Sequence, residues 1–221
     1  MFGLFRKLTM VLGMCLIVAV ALCGCGGSSE PTPTETANTF LTAVKAGDTE
    51  TIKTVYAGED LDILSPIEGE DSDGDKDDSE DVTDDEYFEE LLLTKLLDFD
   101  YELSNEQITE DKATVDVTIT TYDLGKVFTA FMEEYFAKAL EMSFDGASDE
   151  EIEKVANSTF ESKLNEEETK TYTETVPLTL SKQDGIWKVD PIDDDGDFMN
   201  VICGNALHTM DQLEEDYSFD D

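Results

Sequence analysis

The chain has one histidine, His208, and few basic residues, and these shortages exclude several classes of function. Only 14 Lys and Arg residues stand against 54 Asp and Glu residues, which gives a net charge of −40. A general affinity for nucleic acid is excluded, because phosphates are bound by Lys and Arg. The sequence also has no nucleophile elbow, no zinc-binding pair of histidines and no glycine-rich phosphate loop. We therefore expect no catalytic residue and no cofactor, although a catalytic pair of carboxylates stays open.

Cysteine is scarce too, and three of the four cysteines lie within the first 25 residues. Arg6 and Lys7 precede an uncharged apolar run over residues 8–22, which is the pattern of a secretory signal. The run is shorter than the ~20 apolar residues of a typical membrane-spanning helix. A cleaved signal peptide over residues 1–24 is therefore favoured over a permanent anchor.

The sequence Leu22-Cys23-Gly24-Cys25 resembles the bacterial lipoprotein box. That box has an aliphatic residue three positions before the lipidated cysteine and a small residue directly before it, and Cys25 meets both conditions. Cys23 does not, because bulky Leu22 directly precedes it. The resemblance implies cleavage between Gly24 and Cys25, a diacylglyceryl group on the Cys25 sulfur, and attachment to the extracytoplasmic face of the cell membrane. An ordinary signal peptide or an uncleaved anchor is the alternative.

Processing would change both the charge and the cysteine content. Loss of Arg6 and Lys7 lowers the net charge from −40 to −42. Such a chain is repelled by anionic surfaces, and the partners that its charge permits are cations and basic proteins. Cys203 would be the only unmodified cysteine, so no internal disulfide can form, and we expect Cys203 to be a small buried apolar residue.

The composition divides the mature chain into three consecutive parts, the second of which contains an insertion. Residues 25–33 are predicted to be a tether, residues 34–210 a single domain, and residues 211–221 an acidic tail. Within the domain, residues 59–83 are predicted to be a disordered insertion, because 12 of the 19 residues from 68 to 86 are acidic. Weak candidates for a calcium site in this insertion are Asp71, Asp73 and Asp75. The spacing of an EF-hand fails, however, at Lys76 and Val82.

Hydrophobic periodicity predicts an α+β fold. Two short helices end at Gly47 and near Gly58, the second capped by Asp48. Another helix follows Thr83, and a capping box at Ser148 opens a further one. Alternating strands form two hairpins, with turns near Glu110-Asp111 and at Asp184-Gly185. A long helix carries an apolar stripe, and a last helix runs from Phe198 to Met210. We expect a curved antiparallel sheet of about four strands packed against several helices in a cone-like arrangement.

Three segments resemble one group of lipoproteins from Gram-positive bacteria. These segments are ANTFLTAVKAGDTETIKTVY (37–56), GIWKVDP (185–191) and DFMN (197–200). They resemble lipoproteins with a nuclear-transport-factor-like (cystatin-like) domain, a group largely of unknown function. The resemblance implies a cone whose concave sheet faces a helix and can hold a small ligand. Possible lining residues of such a pocket are Phe128, Phe131, Tyr135 and Trp187, although a helical aromatic stripe is more often ordinary core.

These observations predict a lipid-anchored extracytoplasmic lipoprotein that acts as a non-enzymatic small-ligand-binding or protein-interaction module. Two alternatives stay open. The first is an enzyme that uses a carboxylate in the cone, and the second is a passive acidic envelope protein with weak calcium binding. The sequence does not determine the oligomeric state.

Overall fold

The computed structural model describes residues 30–58, residue 61 and residues 84–217, and these form seven helices and four strands. The helices are α1 (Pro33–Ala46), α2 (Thr49–Val55), α3 (Asp84–Leu97), α4 (Leu124–Asp145), α5 (Asp149–Glu166), α6 (Asp197–Ile202) and α7 (Ala206–Tyr217). The strands are β1 (Asp100–Thr109), β2 (Lys112–Thr121), β3 (Tyr172–Gln183) and β4 (Ile186–Val189).

The four strands form one antiparallel sheet in the order β1-β2-β3-β4. Both predicted hairpins are present, with turns at Glu110-Asp111 and Asp184-Gly185. Glu110, Asp184 and Gly185 have positive φ values of 54°, 52° and 87°, as tight hairpin turns require. The α+β class with an antiparallel sheet packed against helices, predicted from the sequence, is confirmed.

Only one face of the sheet is buried. Alternate residues of β2 and β3, such as Val115, Val117 and Leu178, are at most 2% exposed. Helix α1 packs against this face with Phe40, Leu41 and Val44, all fully buried, and α6 adds Val201 and Ile202. Close-packed side chains therefore occupy the space between the sheet and its helices.

The opposite face of the sheet carries polar side chains, many of them threonines. Thr118 and Thr175 form a cross-strand hydrogen bond of 2.7 Å, and Thr120 and Thr173 form one of 3.0 Å. Cross-strand pairs of this kind stabilise the sheet without burying it. The sheet is thus amphipathic, which explains the period-two pattern of its strands.

Helix ends follow the capping signals in the sequence. The Thr32 hydroxyl accepts a hydrogen bond from Glu35 N while Glu35 reaches back to Thr32 N, so α1 begins at a capping box that includes Pro33. Gly47 ends α1 in the left-handed conformation, with φ of 62°. The Asp48 side chain caps α2 because it accepts a hydrogen bond from Thr51 N. The predicted capping box at Ser148 is confirmed at the start of α5.

The prediction of one last helix from Phe198 to Met210 is wrong, because Gly204 and Asn205 divide it into α6 and α7. Both residues have positive φ, 55° and 65°, which a continuous helix does not allow. Gly125 N donates to Gly204 O at 2.9 Å, and a Cβ on Gly204 would lie 2.0 Å from Tyr122 O. The close approach of these two backbone segments therefore ends α6 at this point. The change of direction at Gly204 and Asn205 lets α7 pack against α4.

The C-terminal boundary, the start of α6 and the acidic insertion complete the description of the chain. Helix α7 continues to Tyr217, so the chain is helical beyond the predicted domain end at residue 210. The N-cap residue of α6 is Gly196, so no side chain caps this helix. Residues 59, 60 and 62–83 of the predicted acidic insertion lie outside the described residues.

We predict that Gly204→Ala lowers the free energy of unfolding by more than about 2 kcal/mol, because alanine meets both a left-handed φ and the Tyr122 carbonyl. Gly146→Ala is the matched control. Gly146 has φ of 79°, but no atom lies within 4 Å of a Cβ placed there, so only the backbone cost of about 1 kcal/mol applies. Urea unfolding of both variants checks the difference, and equal losses would contradict the proposed contact.

Candidate functional site

A cleft of about 180 Å³ lies along β3 where that strand has no partner on one side. Strand β4 is short and pairs only with residues 180–183 of β3. Residues 176–179 of β3 form one wall of the cleft, and residues 190–193 and 196–198 form the other. Two hydrogen bonds hold the second wall in place: Asp190 N donates to Thr179 O at 2.9 Å, and Ile192 N donates to Tyr56 Oη at 3.0 Å.

Pro177 lies at this unpaired edge. Proline cannot donate to a strand ladder and is therefore confined to the edges or bulges of a sheet. Strand β3 is internal, but Pro177 lies beyond the reach of β4 and has a strand partner only on the β2 side, opposite Asp116. The proline therefore weakens this edge as a template for another strand.

The cleft combines apolar side chains with carboxylates. Val176, Leu178 and Phe198 are at most 7% exposed, and Asp193 and Asp197 lie in the same wall as Phe198. The Asp197 side chain is 82% exposed, and its Oδ1 lies 3.9 Å from His208 Nε2. Such a surface attracts a positively charged group. Over the part of the chain that the structure describes, no group of three or more His, Cys, Asp or Glu residues could hold a metal ion.

The four residues predicted to line a pocket lie in two different places, and none lines this cleft. Trp187 on β4 belongs to the main core and is 7% exposed. Phe128, Phe131 and Tyr135 lie on α4, where Phe131 stacks on Tyr135 with ring centroids 5.3 Å apart.

Sequence reasoning missed the cleft because its walls come from segments that meet only in the folded chain. Pro177, which cannot donate to a strand ladder, is the local signal in the sequence.

The aromatic residues of α4 form the interface of a helical hairpin with α5. Phe131 makes an edge-to-face contact with Phe160 of α5 at 5.2 Å, and Phe128 makes another at 6.2 Å. Only the first turn of α4 is buried, at Leu124, Gly125 and Val127. The reading of the stripe as ordinary core is therefore wrong for its distal part: Phe136 is 49% and Leu140 60% exposed. A pair of helices has too few neighbours to cover all sides of a wide stripe.

Lysines join the base of this hairpin to the sheet. Lys126 of α4 lies 3.2 Å from the buried carboxylate of Glu167, and Lys95 Nζ donates to Glu167 O at 2.6 Å. Lys170 binds Asp98 at 2.8 Å and Asp100 at 3.1 Å. The hydrogen bond from Lys170 lowers the pKa of Asp98. These contacts connect α3, α4, β1 and the segment after α5, so their role is to fix the hairpin.

A second group of charges joins the two helices of the hairpin directly. The Glu134 carboxylate lies 2.6 Å from Lys138 on its own helix and 2.8 Å from Lys163 on α5. The hydrogen bond from Lys138 and then that from Lys163 lower the pKa of Glu134 to about 2. A depressed pKa in the folded state means that the ionised group stabilises the fold at neutral pH.

The contacts of His208 and Cys203 support the fold. Asn200 is 2% exposed; its Oδ1 accepts from His208 N at 3.0 Å, and its Nδ2 lies 3.1 Å from His208 Nδ1. This network holds α7 against α6. Cys203 is a free, partly buried thiol packed against the main core, and burial raises its pKa to about 11. A thiol with so high a pKa is a poor nucleophile at neutral pH.

The predicted cleavage site at Gly24 and Cys25, and the calcium candidates Asp71, Asp73 and Asp75, lie outside the described residues. Within the described ranges, which start at residue 30, no helix is sufficiently long and apolar to cross a membrane.

Comparisons with known proteins found few matches to this chain. No protein-family model matches the chain, and no curated protein matches it. Among solved structures, the chain is similar to a crystal structure from Bacillus subtilis subsp. subtilis described as a "putative lipoprotein (ycdA)". The identity is 18% and the TM-score 0.37, over 61% of this chain and 38% of the Bacillus chain. The similar region thus spans well under half of the Bacillus protein, and the resemblance to nuclear-transport-factor-like lipoproteins stays a prediction.

We predict that Glu134→Gln lowers the melting temperature at pH 7, because it removes the carboxylate shared by Lys138 and Lys163. The stabilisation by Glu134 is complete above its unfolded pKa of 4.5 and is lost as the pH falls toward about 2. The difference between the variant and the wild type should therefore shrink over this range. Glu133→Gln removes the same charge at the neighbouring exposed position and serves as the control. Equal melting curves for both variants at pH 7 would contradict the assignment.

Proposed function

We propose that this chain is a lipid-anchored protein of the extracytoplasmic face of the cell membrane, and that its domain is a non-enzymatic protein-interaction module. The observation that carries the anchoring is the sequence Leu22-Cys23-Gly24-Cys25 after a basic and then apolar N-terminal segment. Two acyl chains on one cysteine suffice for stable membrane attachment.

The start of the folded domain limits how far the domain could lie from the proposed lipid. Helix α1 begins at Pro33 with Thr32 as its cap, so residues 25–31 separate the proposed lipid from the cap of α1. These residues span at most about 25 Å when fully extended. The domain would therefore work close to the membrane, on the side where the lipid is attached.

The geometry supports protein interaction better than small-ligand binding. The space between the sheet and α1 holds fully buried side chains such as Phe40, Leu41 and Val117. The cleft along β3 has about 180 Å³, whereas pockets for drug-sized ligands have roughly 300–1,000 Å³. It is large enough for one side chain of a partner, and the carboxylates beside it favour a basic one.

We predict that Cys25→Ala abolishes incorporation of a radiolabelled fatty acid and either releases the protein from the membrane or blocks removal of residues 1–24. The reason is that Cys25 alone fits the spacing of the lipoprotein box. Cys23→Ala is the matched control and should keep both label and membrane attachment. Full labelling of the Cys25→Ala variant would refute the assignment.

A further inference from the structure

Helix α4 carries an apolar row on its outer surface, formed by Met132, Phe136, Leu140 and Phe144. These residues are spaced by four positions, so they follow one another along one side of the helix. Met132 is partly buried, whereas Leu140 is 60% and Phe144 83% exposed. The exposure thus increases toward the tip of the hairpin. Exposed apolar side chains that lie together on a highly charged protein are typical of an interaction surface.

The charges next to the outer row are negative. Glu133, Ala137 and Glu141 form the adjacent line on the helix, three positions before Phe136, Leu140 and Phe144, and all three are exposed. The surface therefore combines apolar contact area with a carboxylate border.

The lysines of α4 do not offset this negative border. Lys126 pairs with Glu167 at 3.2 Å at the base of the hairpin. Lys138 pairs with Glu134 at 2.6 Å and donates to Thr159 of α5 at 3.2 Å. Lys138 is thus directed to the hairpin interface and Lys126 to the segment after α5, so both lysines of α4 are engaged away from Glu133 and Glu141.

We infer that the outer row of α4 docks an amphipathic segment of a cationic partner protein, with apolar side chains against Leu140 and Phe144 and Lys or Arg beside Glu133 and Glu141. This inference rests on the proposed function as an interaction module and names the chemistry of the partner. A helix laid along the row would use the common mode in which apolar anchors at helical spacing contact a complementary apolar surface.

The same charges disfavour two other occupants. A second copy of the chain would bring together two surfaces with carboxylate borders on molecules of net charge −40 or below. A lipid surface that contains anionic headgroups would also repel the border. A cationic protein segment is the partner that gains from both the apolar and the electrostatic features of the row.

Fluorescence anisotropy of a short synthetic peptide tests the inference. The peptide is helical, with leucines on one face and lysines on the other, and a peptide with glutamate in place of lysine is its control. The protein is the whole chain with Cys25→Ala, so the result does not depend on lipidation. We expect the lysine peptide to bind, the glutamate peptide not to bind, and added salt to weaken binding.

Two pairs of variants locate the binding. Leu140→Ser with Phe144→Ser should weaken binding about tenfold or more, since both side chains would be buried by the peptide. Ile108→Ser with Ile186→Ser, each 53% exposed elsewhere, should leave the affinity unchanged. Glu133→Gln with Glu141→Gln should reduce the salt dependence, and Glu150→Gln with Glu153→Gln on α5 should not. Circular dichroism confirms that each variant is folded.

The opposite results would overturn the inference. Unchanged affinity in the Leu140→Ser/Phe144→Ser variant would show that the peptide binds elsewhere on the acidic surface. Self-association in sedimentation, lost in this variant, would assign the row to a second copy. Flotation with phosphatidylglycerol–phosphatidylcholine vesicles, lost in the same variant, would assign it to a membrane. Failure of the proposed anchoring would be seen separately, in the fatty acid labelling of Cys25.

Discussion

The burial of a single face of the sheet is the constraint on which the rest of this structure depends. Alternate residues of β2 and β3 place Val115, Val117 and Leu178 on one side, and α1 covers them with Phe40 and Leu41. No disulfide can reinforce this packing among the described residues, since Cys203 is a free thiol. The apolar contact between sheet and helices must therefore hold the domain together. The other elements pack around the sheet and α1, and the two candidate surfaces, the cleft beside β3 and the outer row of α4, lie outside this packed layer.

Positive charge is scarce in this chain, and the structure places much of it at junctions between elements. Lys95, Lys126 and Lys170 hold the base of the hairpin to α3 and β1, while Lys138 and Lys163 share Glu134 between α4 and α5. Exposed ion pairs contribute little individually. Here, however, each lysine also reduces the local repulsion in a molecule with a large excess of carboxylates, so its position matters more than its pairing energy alone.

The two candidate surfaces differ in what they can bind. The cleft beside β3 is small, and Pro177 gives an approaching strand no N–H at its edge. The outer row of α4 extends from Met132 to Phe144, and its Leu140 and Phe144 are 60% and 83% exposed. Both surfaces carry carboxylates, which favours a basic partner at either one. If the proposed lipid anchor is present, both surfaces lie on a domain that is held near the membrane.

Local signals determined much of the secondary structure. Gly47, Asp48 and Ser148 set helix ends through hydrogen bonds within a few residues, and the hairpin turn at Asp184-Gly185 follows from its own backbone preference. The period-two pattern of the strands determined which face of the sheet is buried, and therefore the α+β class. Each of these features depends on neighbours in the chain, which a sequence shows directly.

Tertiary contacts decided the rest. The periodicity from Phe198 to Met210 suits one helix, yet Gly204 breaks it because the backbone at Tyr122 and Gly125 approaches from a distant part of the chain. The apolar stripe of α4 does not predict which of its residues are buried by tertiary contacts. Phe131 packs against Phe160, whereas Leu140 and Phe144 are exposed. The sequence by itself determined most of the elements, the caps at Asp48 and Ser148, and the proposed lipid attachment at Cys25. Only the tertiary structure decided the cleft and the outer row, because both are defined by which distant segments pack together and which surfaces are left uncovered.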